Sequence, residues 1–240
     1  MTITHCLIYA AGYGKRLMPY TKECPKPLLP IQGKPLLEWL MEAVTETFPT
    51  IKNFVVNAHY HKDQIQAFCE SSSYNIKCSV EPTLLGTGGG MVNALPLMPL
   101  DRPLLVLNGD AIWPKSQPLL TMLYEAWNPE IMDVILALIP KASAHFYEGS
   151  GDYAILKDKR LCFIERCRPS DALSAGVFSG ARILHPSLLG AYAPQPFPIR
   201  MLFDAAEHHK RLYGVSCPVS WYHIGTPQAY EAIQRIPLNA

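Results

Sequence analysis

The sequence predicts an α/β fold, a mostly parallel sheet with helices on both faces. Three observations lead there. Short apolar runs alternate with amphipathic stretches across residues 5–139, the β-α-β rhythm of a parallel sheet. Stretches rich in Gly, Pro or Asn-Gly follow several of these runs, at the strand ends where such sheets bind ligands. Hydrophobic residues make up 49% of 240 residues, enough to bury a sizeable core.

Each element has its own reason. Residues 5–11 form an apolar run that stops at Gly12, which suits a buried first strand. Residues 12–35 are broken by Gly14, Pro19, Pro25, Pro27, Pro30 and Gly33, so a long ordered loop is expected. Pro35 suits the first position of a helix. Leu36, Leu37, Leu40, Met41 and Val44 then give that helix one apolar face. Residues 53–58 read as a second strand. Residues 61–71 read as a second helix with Ile65, Phe68 and Cys69 inward. Residues 77–81 suit a third strand, followed by a turn-rich segment and a short helix over 91–97. Residues 104–107 are a strand running into Asn108-Gly109-Asp110; 119–127 read as a helix and 134–139 as a buried strand. Beyond them the chain is more β-like, at 153–156, 161–164 and 177–183, with helices expected over 200–209 and 227–236.

Composition narrows the function. Lys plus Arg is 21 and Asp plus Glu is 20, a net charge of +1, which argues against nucleic-acid binding by bulk charge. Seven cysteines form no Cys-x-x-Cys pair, which reads as reduced thiols in a cytoplasmic protein. The first residues lack a basic segment followed by a long apolar one. The longest apolar run is six residues, far short of the ~20 that span a bilayer. No linker or internal repeat divides the chain, so one domain over residues 1–240 is expected, with its oligomeric state left open.

Several residues could carry chemistry. After the first strand come Ala10-Ala11-Gly12-Tyr13-Gly14-Lys15-Arg16. Gly12 and Gly14 allow backbone N–H groups close to an anion, and Arg16 offers a planar fork for phosphate oxygens. Leu17 stands where a dinucleotide loop has its third Gly, and no Gly-Lys-Ser/Thr follows, so neither familiar phosphate loop is present. By itself the motif reads equally as a tight turn. Lys26 lies between Pro25 and Pro27, whose restricted backbone aims its ammonium at a fixed point. Gly86 and Gly88–Gly90 surround Thr87; the two readings are a close approach to a flat ligand and a crowded helix start. Asp110 lies at the ligand end of its strand, where a carboxylate suits Mg²⁺ with phosphates, or caps a turn. The eight histidines show no metal-ligand spacing, and no Gly-x-Ser-x-Gly elbow occurs.

Together, residues 10–39 resemble the signature of the sugar-1-phosphate nucleotidyltransferases. Gly12, Gly14, Arg16, Pro19, Thr21, Pro25, Lys26, Pro27, Leu28, Pro30, Lys34 and Pro35 all match in order. Glu81 with Gly86-Thr87-Gly88-Gly89, Asn108-Gly109-Asp110, Gly151-Asp152-Tyr153, Ser179-Gly180 and Trp221 with Gly225-Thr226 extend the likeness over nearly the whole chain. Within the family the strongest likeness is to bacterial N-acetylmuramate-1-phosphate uridylyltransferases; mannose-1-phosphate guanylyltransferases share most of the motifs.

The resemblance implies a Rossmann-like three-layer sandwich with a mostly parallel mixed sheet, without the C-terminal β-helix of longer members. It implies a nucleoside triphosphate, UTP favoured, and a sugar-1-phosphate as substrates. Arg16, Lys26 and Asp110 would be catalytic. Ala10, Ala11, Gly12, Gly14, Glu81, Gly86 and Thr87 would frame the nucleotide, and Asn108, Gly151, Asp152 and Gly180 the sugar. Asp110 would hold Mg²⁺. One departure bears on the metal: His223 stands where most members carry a second metal-binding Asp. Mg²⁺ prefers oxygen and imidazole suits softer ions. Three consequences are open: Mg²⁺ on Asp110, phosphates and water; Mn²⁺ instead; or a nucleotide-sugar-binding regulatory protein with little turnover.

Overall fold

The computed structural model describes residues 2–239. β1 (His5–Tyr9) lies in the middle of a nine-stranded mixed sheet. After a loop come a two-residue hairpin, β2 (Pro30–Ile31) and β3 (Lys34–Pro35), and then α1 (Leu36–Thr47). Next are β4 (Asn53–Ala58), α2 (Lys62–Ser71), β5 (Asn75–Val80), α3 (Gly86–Ala94), β6 (Leu104–Asn108), β7 (Ala111–Ile112) and α4 (Leu119–Ala126). Then come β8 (Val134–Ile139), β9 (Ala144–His145), β10 (Tyr153–Leu156), β11 (Leu161–Phe163) and the long β12 (Ala172–Leu184). The chain closes with α5 (Arg200–His208), β13 (Leu212–Ser216), β14 (Trp221–His223) and α6 (Pro227–Ile233).

The run β6-β1-β4-β5 is parallel throughout, as the β-α-β rhythm predicts. β12 enters antiparallel to β6, β8 and β10, which makes the second half mixed. Alternation along β1 shows the layering. Cys6 and Ile8 pack with Leu37, Leu40, Met41 and Val44 of α1, Ile65 of α2 and Leu123 of α4. Leu7 and Tyr9 pack on the opposite face with Met91 and Val92 of α3 and with Leu202 and Phe203 of α5. A third cluster joins Leu17, Leu29 and Ile31 of the long loop to Trp39, Tyr222, Ile224 and Ile233, and so ties that loop to the end of the chain.

Some expectations change. Pro35 is the residue before α1 rather than its first, because it is extended (φ −52°, ψ 139°) and pairs in the β2–β3 hairpin. The Gly-rich segment is helical rather than a turn. β12 begins at Ala172, well before the apolar residues that announce it, because its first residues gain a partner in β10. A small sheet, β7-β14-β9, lies beyond the reach of sequence patterns, because its strands are too short to show a period. Among the described residues no helix is long and apolar enough to cross a membrane, and the seven cysteines are free.

Candidate active site

The carboxyl end of β1 opens into a cavity of about 410 Å³. Its floor is Ala10, Ala11, Gly12 and Gly14, with Arg16 and Lys26 on one side and Gly86 and Thr87 on the other. Local sequence shapes this floor. Gly14 has φ +63°, and a Cβ there would meet the Thr21 side chain at 2.8 Å, so a glycine is required. Thr21 Oγ1 donates to the Gly14 carbonyl at 2.9 Å and Tyr60 Oη donates to the Thr21 carbonyl at 2.9 Å, which pins the loop from below. Lys26 begins a single 3₁₀ turn, Lys26–Leu28, after an extended Pro25. The two prolines hold that turn, so the ammonium has a defined place.

A buried polar chain fixes the opposite wall. The Ala10 N–H donates to Asn57 Oδ1 at 2.7 Å. Asn57 Nδ2 donates to Glu81 Oε1 at 2.6 Å, and the Leu85 N–H donates to Glu81 Oε2 at 2.9 Å. Burial pushes the Glu81 carboxyl up, and the Leu85 and Asn57 donors pull it partly back. Glu81 thus lies behind the cavity rather than in it; Asn57, which the sequence reading missed, is the residue that lines it. Tyr9 Oη donates to the Thr87 carbonyl, and Thr87 Oγ1 accepts from the Ile199 N–H at 2.9 Å. These bonds clamp the start of α3 between β1 and the segment before α5.

The glycines of α3 are explained by crowding. A Cβ at Gly88 would meet the Phe197 ring at 2.2 Å, one at Gly89 the Gln195 carbonyl at 2.0 Å, and one at Gly90 Glu81 Oε1 at 2.4 Å. Only Gly86 and Thr87 of this segment reach the cavity. The crowded helix start is therefore the reading that holds for Gly88–Gly90.

A second cavity, about 400 Å³, adjoins the first through Asn108 and Asp110, which line both. It is walled by the rings of Tyr147, Tyr153, Phe163, Phe178, Phe203 and Trp221, with Asp152, Arg200 and His223 as polar members. Asp152 is committed locally: Oδ1 accepts from Tyr147 Oη at 3.1 Å and Oδ2 from the Phe178 N–H at 2.8 Å. Gly151 and Gly180 do not line either cavity; Gly180 packs against Asn108. The aromatic wall and Arg200 are invisible as a group in sequence, because they come from six separate segments.

Asp110 is the meeting point. Its Oδ2 lies 3.3 Å from Lys26 Nζ and 3.5 Å from His223 Nε2. Burial pushes the Asp110 carboxyl up, but Lys26 and His223 outweigh it and hold the group well below the usual carboxylate range. Burial lowers the Lys26 ammonium, and Asp110 opposes that shift. The His223 ring stacks 5.9 Å from that of Trp221 at 2°. Among the described residues no cluster of three His, Cys, Asp or Glu could hold a metal. Asp110 supplies one carboxylate, so this donor set fits Mg²⁺ only as an ion completed by phosphate oxygens and water, which is a common way for Mg²⁺ to bind.

Comparison with known proteins identifies the family and the fold. The nucleotidyl transferase family model matches residues 5–147. The N-acetylmuramate alpha-1-phosphate uridylyltransferase of Caulobacter vibrioides is 29% identical over 230 residues, covering 93% of this chain and 92% of that protein. The mannose-1-phosphate guanyltransferase of Schizosaccharomyces pombe is 27% identical, covering 93% of this chain and 61% of that protein. Among solved structures, HddC from Yersinia pseudotuberculosis complexed with GMP-PN superposes with a TM-score of 0.74 at 22% identity, covering 97% of this chain and 98% of that one. A UDP-glucose pyrophosphorylase from Acinetobacter baumanii gives 0.76 at 14% identity, covering 97% and 92%. Both structures share the fold.

Proposed function

Because the chain belongs to the nucleotidyl transferase family, we propose that it joins a nucleoside triphosphate to a sugar-1-phosphate, giving a nucleoside-diphosphate sugar and pyrophosphate. The observation that carries this reading is the junction of two cavities at Asn108 and Asp110, with the Lys26 ammonium 3.3 Å from the Asp110 carboxylate. One cavity offers a backbone floor and two cations, which suits a triphosphate. The other offers rings and a few polar groups, which suits a sugar.

A phosphate oxygen of the sugar-1-phosphate attacks the α-phosphorus in line. The new P–O bond forms as the bond from the α-phosphorus to the α,β-bridging oxygen breaks, and the electron pair leaves with pyrophosphate. A phosphate monoester, whose second pKa is about 6, is already ionised at neutral pH, so no general base is needed. Positioning and charge stabilisation carry the rate. Lys26 bridges the α-phosphate and the incoming phosphate. Arg16, exposed at the cavity mouth, neutralises the departing pyrophosphate. The backbone of Ala10, Ala11, Gly12, Gly14, Gly86 and Thr87 frames the nucleotide. Asp110 would hold Mg²⁺, which would supply charge compensation to the phosphates. Mn²⁺ is the alternative ion, raised by the imidazole that stands at position 223 where oxygen-preferring Mg²⁺ gains no ligand.

UTP and N-acetylmuramate-1-phosphate are the favoured pair, supported by the uridylyltransferase relative that matches 93% of this chain. GTP with mannose-1-phosphate is the alternative. Free thiols at all seven cysteines support a cytoplasmic setting. His223 at 3.5 Å from Asp110 favours a second reading, a nucleotide-sugar-binding regulator with little turnover. A pyrophosphate-release matrix decides. It crosses UTP, dTTP, GTP, CTP and ATP with N-acetylmuramate-, N-acetylglucosamine-, mannose- and glucose-1-phosphate, in Mg²⁺ and in Mn²⁺. One active cell identifies the substrates; a blank matrix from folded protein refutes the transferase and leaves the regulator.

A further inference from the structure

Arg182 sits in β12 opposite Val106 of β6 and Leu136 of β8, with no exposed surface. A buried cation is costly unless it is paired. Arg182 forms no ion pair with a described residue, and its Nε and Nη2 have no hydrogen-bond partner. Three rings face it instead: Tyr9 at 5.0 Å, Phe178 at 5.6 Å and Phe203 at 6.0 Å. Arg182 Nη1 donates to Asn108 Oδ1 at 3.0 Å and to the Gly180 carbonyl at 2.9 Å.

These contacts fix a polarity. A guanidinium is a donor only, so the atom of the Asn108 amide that faces it must be the carbonyl oxygen. The Asn108 NH₂ group then points away from Arg182. It makes no hydrogen bond to a described residue, and Asn108 lines both cavities. Gly180 gives this arrangement room. Its φ is +87°, and a Cβ there would lie 2.7–3.0 Å from Asn108 Cβ, Cγ and Nδ2.

We propose that Arg182 is a positioning residue: by holding Oδ1 of Asn108, it presents the Asn108 amide N–H at the cavity junction as a donor to an anionic oxygen of the sugar-1-phosphate. The proposal rests on the function proposed above. The guanidinium also leaves an uncompensated positive charge one residue away from the place where phosphates gather. Both effects favour an anionic substrate, and both come from a residue that touches none.

Three variants test it. Asn108→Asp keeps the size, gives the buried guanidinium a counter-charge and removes the outward donor. Its melting temperature is expected to rise while KM for the sugar-1-phosphate rises about 10- to 100-fold, the worth of one hydrogen bond to a charged group. KM for the nucleotide stays within about threefold. Arg182→Met is expected to raise the same KM in the wild-type background, and to add nothing in an Asn108→Ala background, because it acts through Asn108. A purely structural role for Arg182 would lower stability and kcat alike in both backgrounds. An Asn108→Asp variant with unchanged sugar-1-phosphate KM or a lowered melting temperature, or an Arg182→Met effect that persists without Asn108, overturns the proposal. If wild-type protein releases no pyrophosphate with any pair, the function proposed above has failed. Calorimetric binding of N-acetylmuramate-1-phosphate and mannose-1-phosphate to wild type and Asn108→Asp then decides alone: weaker binding by the variant upholds the positioning role, and equal or absent binding overturns it.

Discussion

Gly90→Ala sets helix propensity directly against tertiary crowding. Gly90 is inside α3, where alanine in place of glycine normally stabilises by up to about 1 kcal/mol. Here the new Cβ would stand 2.4 Å from Glu81 Oε1 and 3.0 Å from Asn57 Nδ2. Neither neighbour yields freely. Both Glu81 oxygens accept hydrogen bonds, from Asn57 and from the Leu85 amide, and both residues are buried. Overpacking of this kind costs about 1–3 kcal/mol. Displacing one carboxylate hydrogen bond costs roughly another 1.5–3 kcal/mol. After the propensity gain is subtracted, the net loss expected is about 1.5–5 kcal/mol, and for a chain of this size the melting temperature falls by roughly 3–20 °C. Asn57 also accepts from the Ala10 N–H at 2.7 Å, so moving it disturbs the floor of the nucleotide cavity and raises KM for the nucleotide. Calorimetry and steady-state kinetics on the same preparation check both effects. A melting temperature equal to or above that of wild type would refute the crowding argument and leave propensity as the ruling term.

Gly12→Ala should do the reverse. A Cβ there meets nothing within 4 Å, yet Gly12 lines the nucleotide cavity. Stability should stay within about 1 kcal/mol of wild type while nucleotide affinity drops, as read by thermal melts and by nucleotide titration. Lys26→Ala should slow pyrophosphate release by about 10²–10³-fold, the usual loss for one preorganised charge donor, and a change under tenfold in kcat/KM would count against its bridging role. Glu42 tests the electrostatics away from the site. Its Oε2 lies 2.5 Å from Lys34 Nζ and 2.7 Å from Lys115 Nζ. Burial pushes the Glu42 carboxyl up, and the two ammonium groups outweigh it and hold it below its ordinary value of 4.5. A depressed acid contributes stability above its unfolded value and loses it as pH falls through the folded one. Glu42→Gln should therefore be less stable by about 1 kcal/mol at pH 7, and the gap should close below pH 4.5 in urea denaturation.

Much of the fold and part of the site are local facts, and local facts are legible in a sequence. The alternation of Cys6, Leu7, Ile8 and Tyr9 between two cores is the period of a strand. The face of α1 carrying Leu37, Leu40, Met41 and Val44 is the period of a helix. Gly12, Gly14, Arg16 and Lys26 fall within one loop, and Asn108 and Asp110 at one strand end, and all of them line one cavity. What the sequence withheld depends on pairs far apart in the chain. Glu81 looks like a ligand residue until Asn57 and Leu85 claim both its oxygens. The glycines of α3 read as a turn-rich segment, open either to a flat ligand or to crowding, until residues 195–197 pack against Gly88 and Gly89. Arg182, a lone charge in an apolar strand, has no visible purpose until β6 sets Asn108 beside it. The layers, the strand ends and the long Gly/Pro loop after β1 can be read from the sequence, because periodicity and turn chemistry act over a few residues. Which polar groups face the cavities and which are spent holding them open follows from the folded chain alone, because a buried hydrogen bond is assigned by whichever distant partner arrives there.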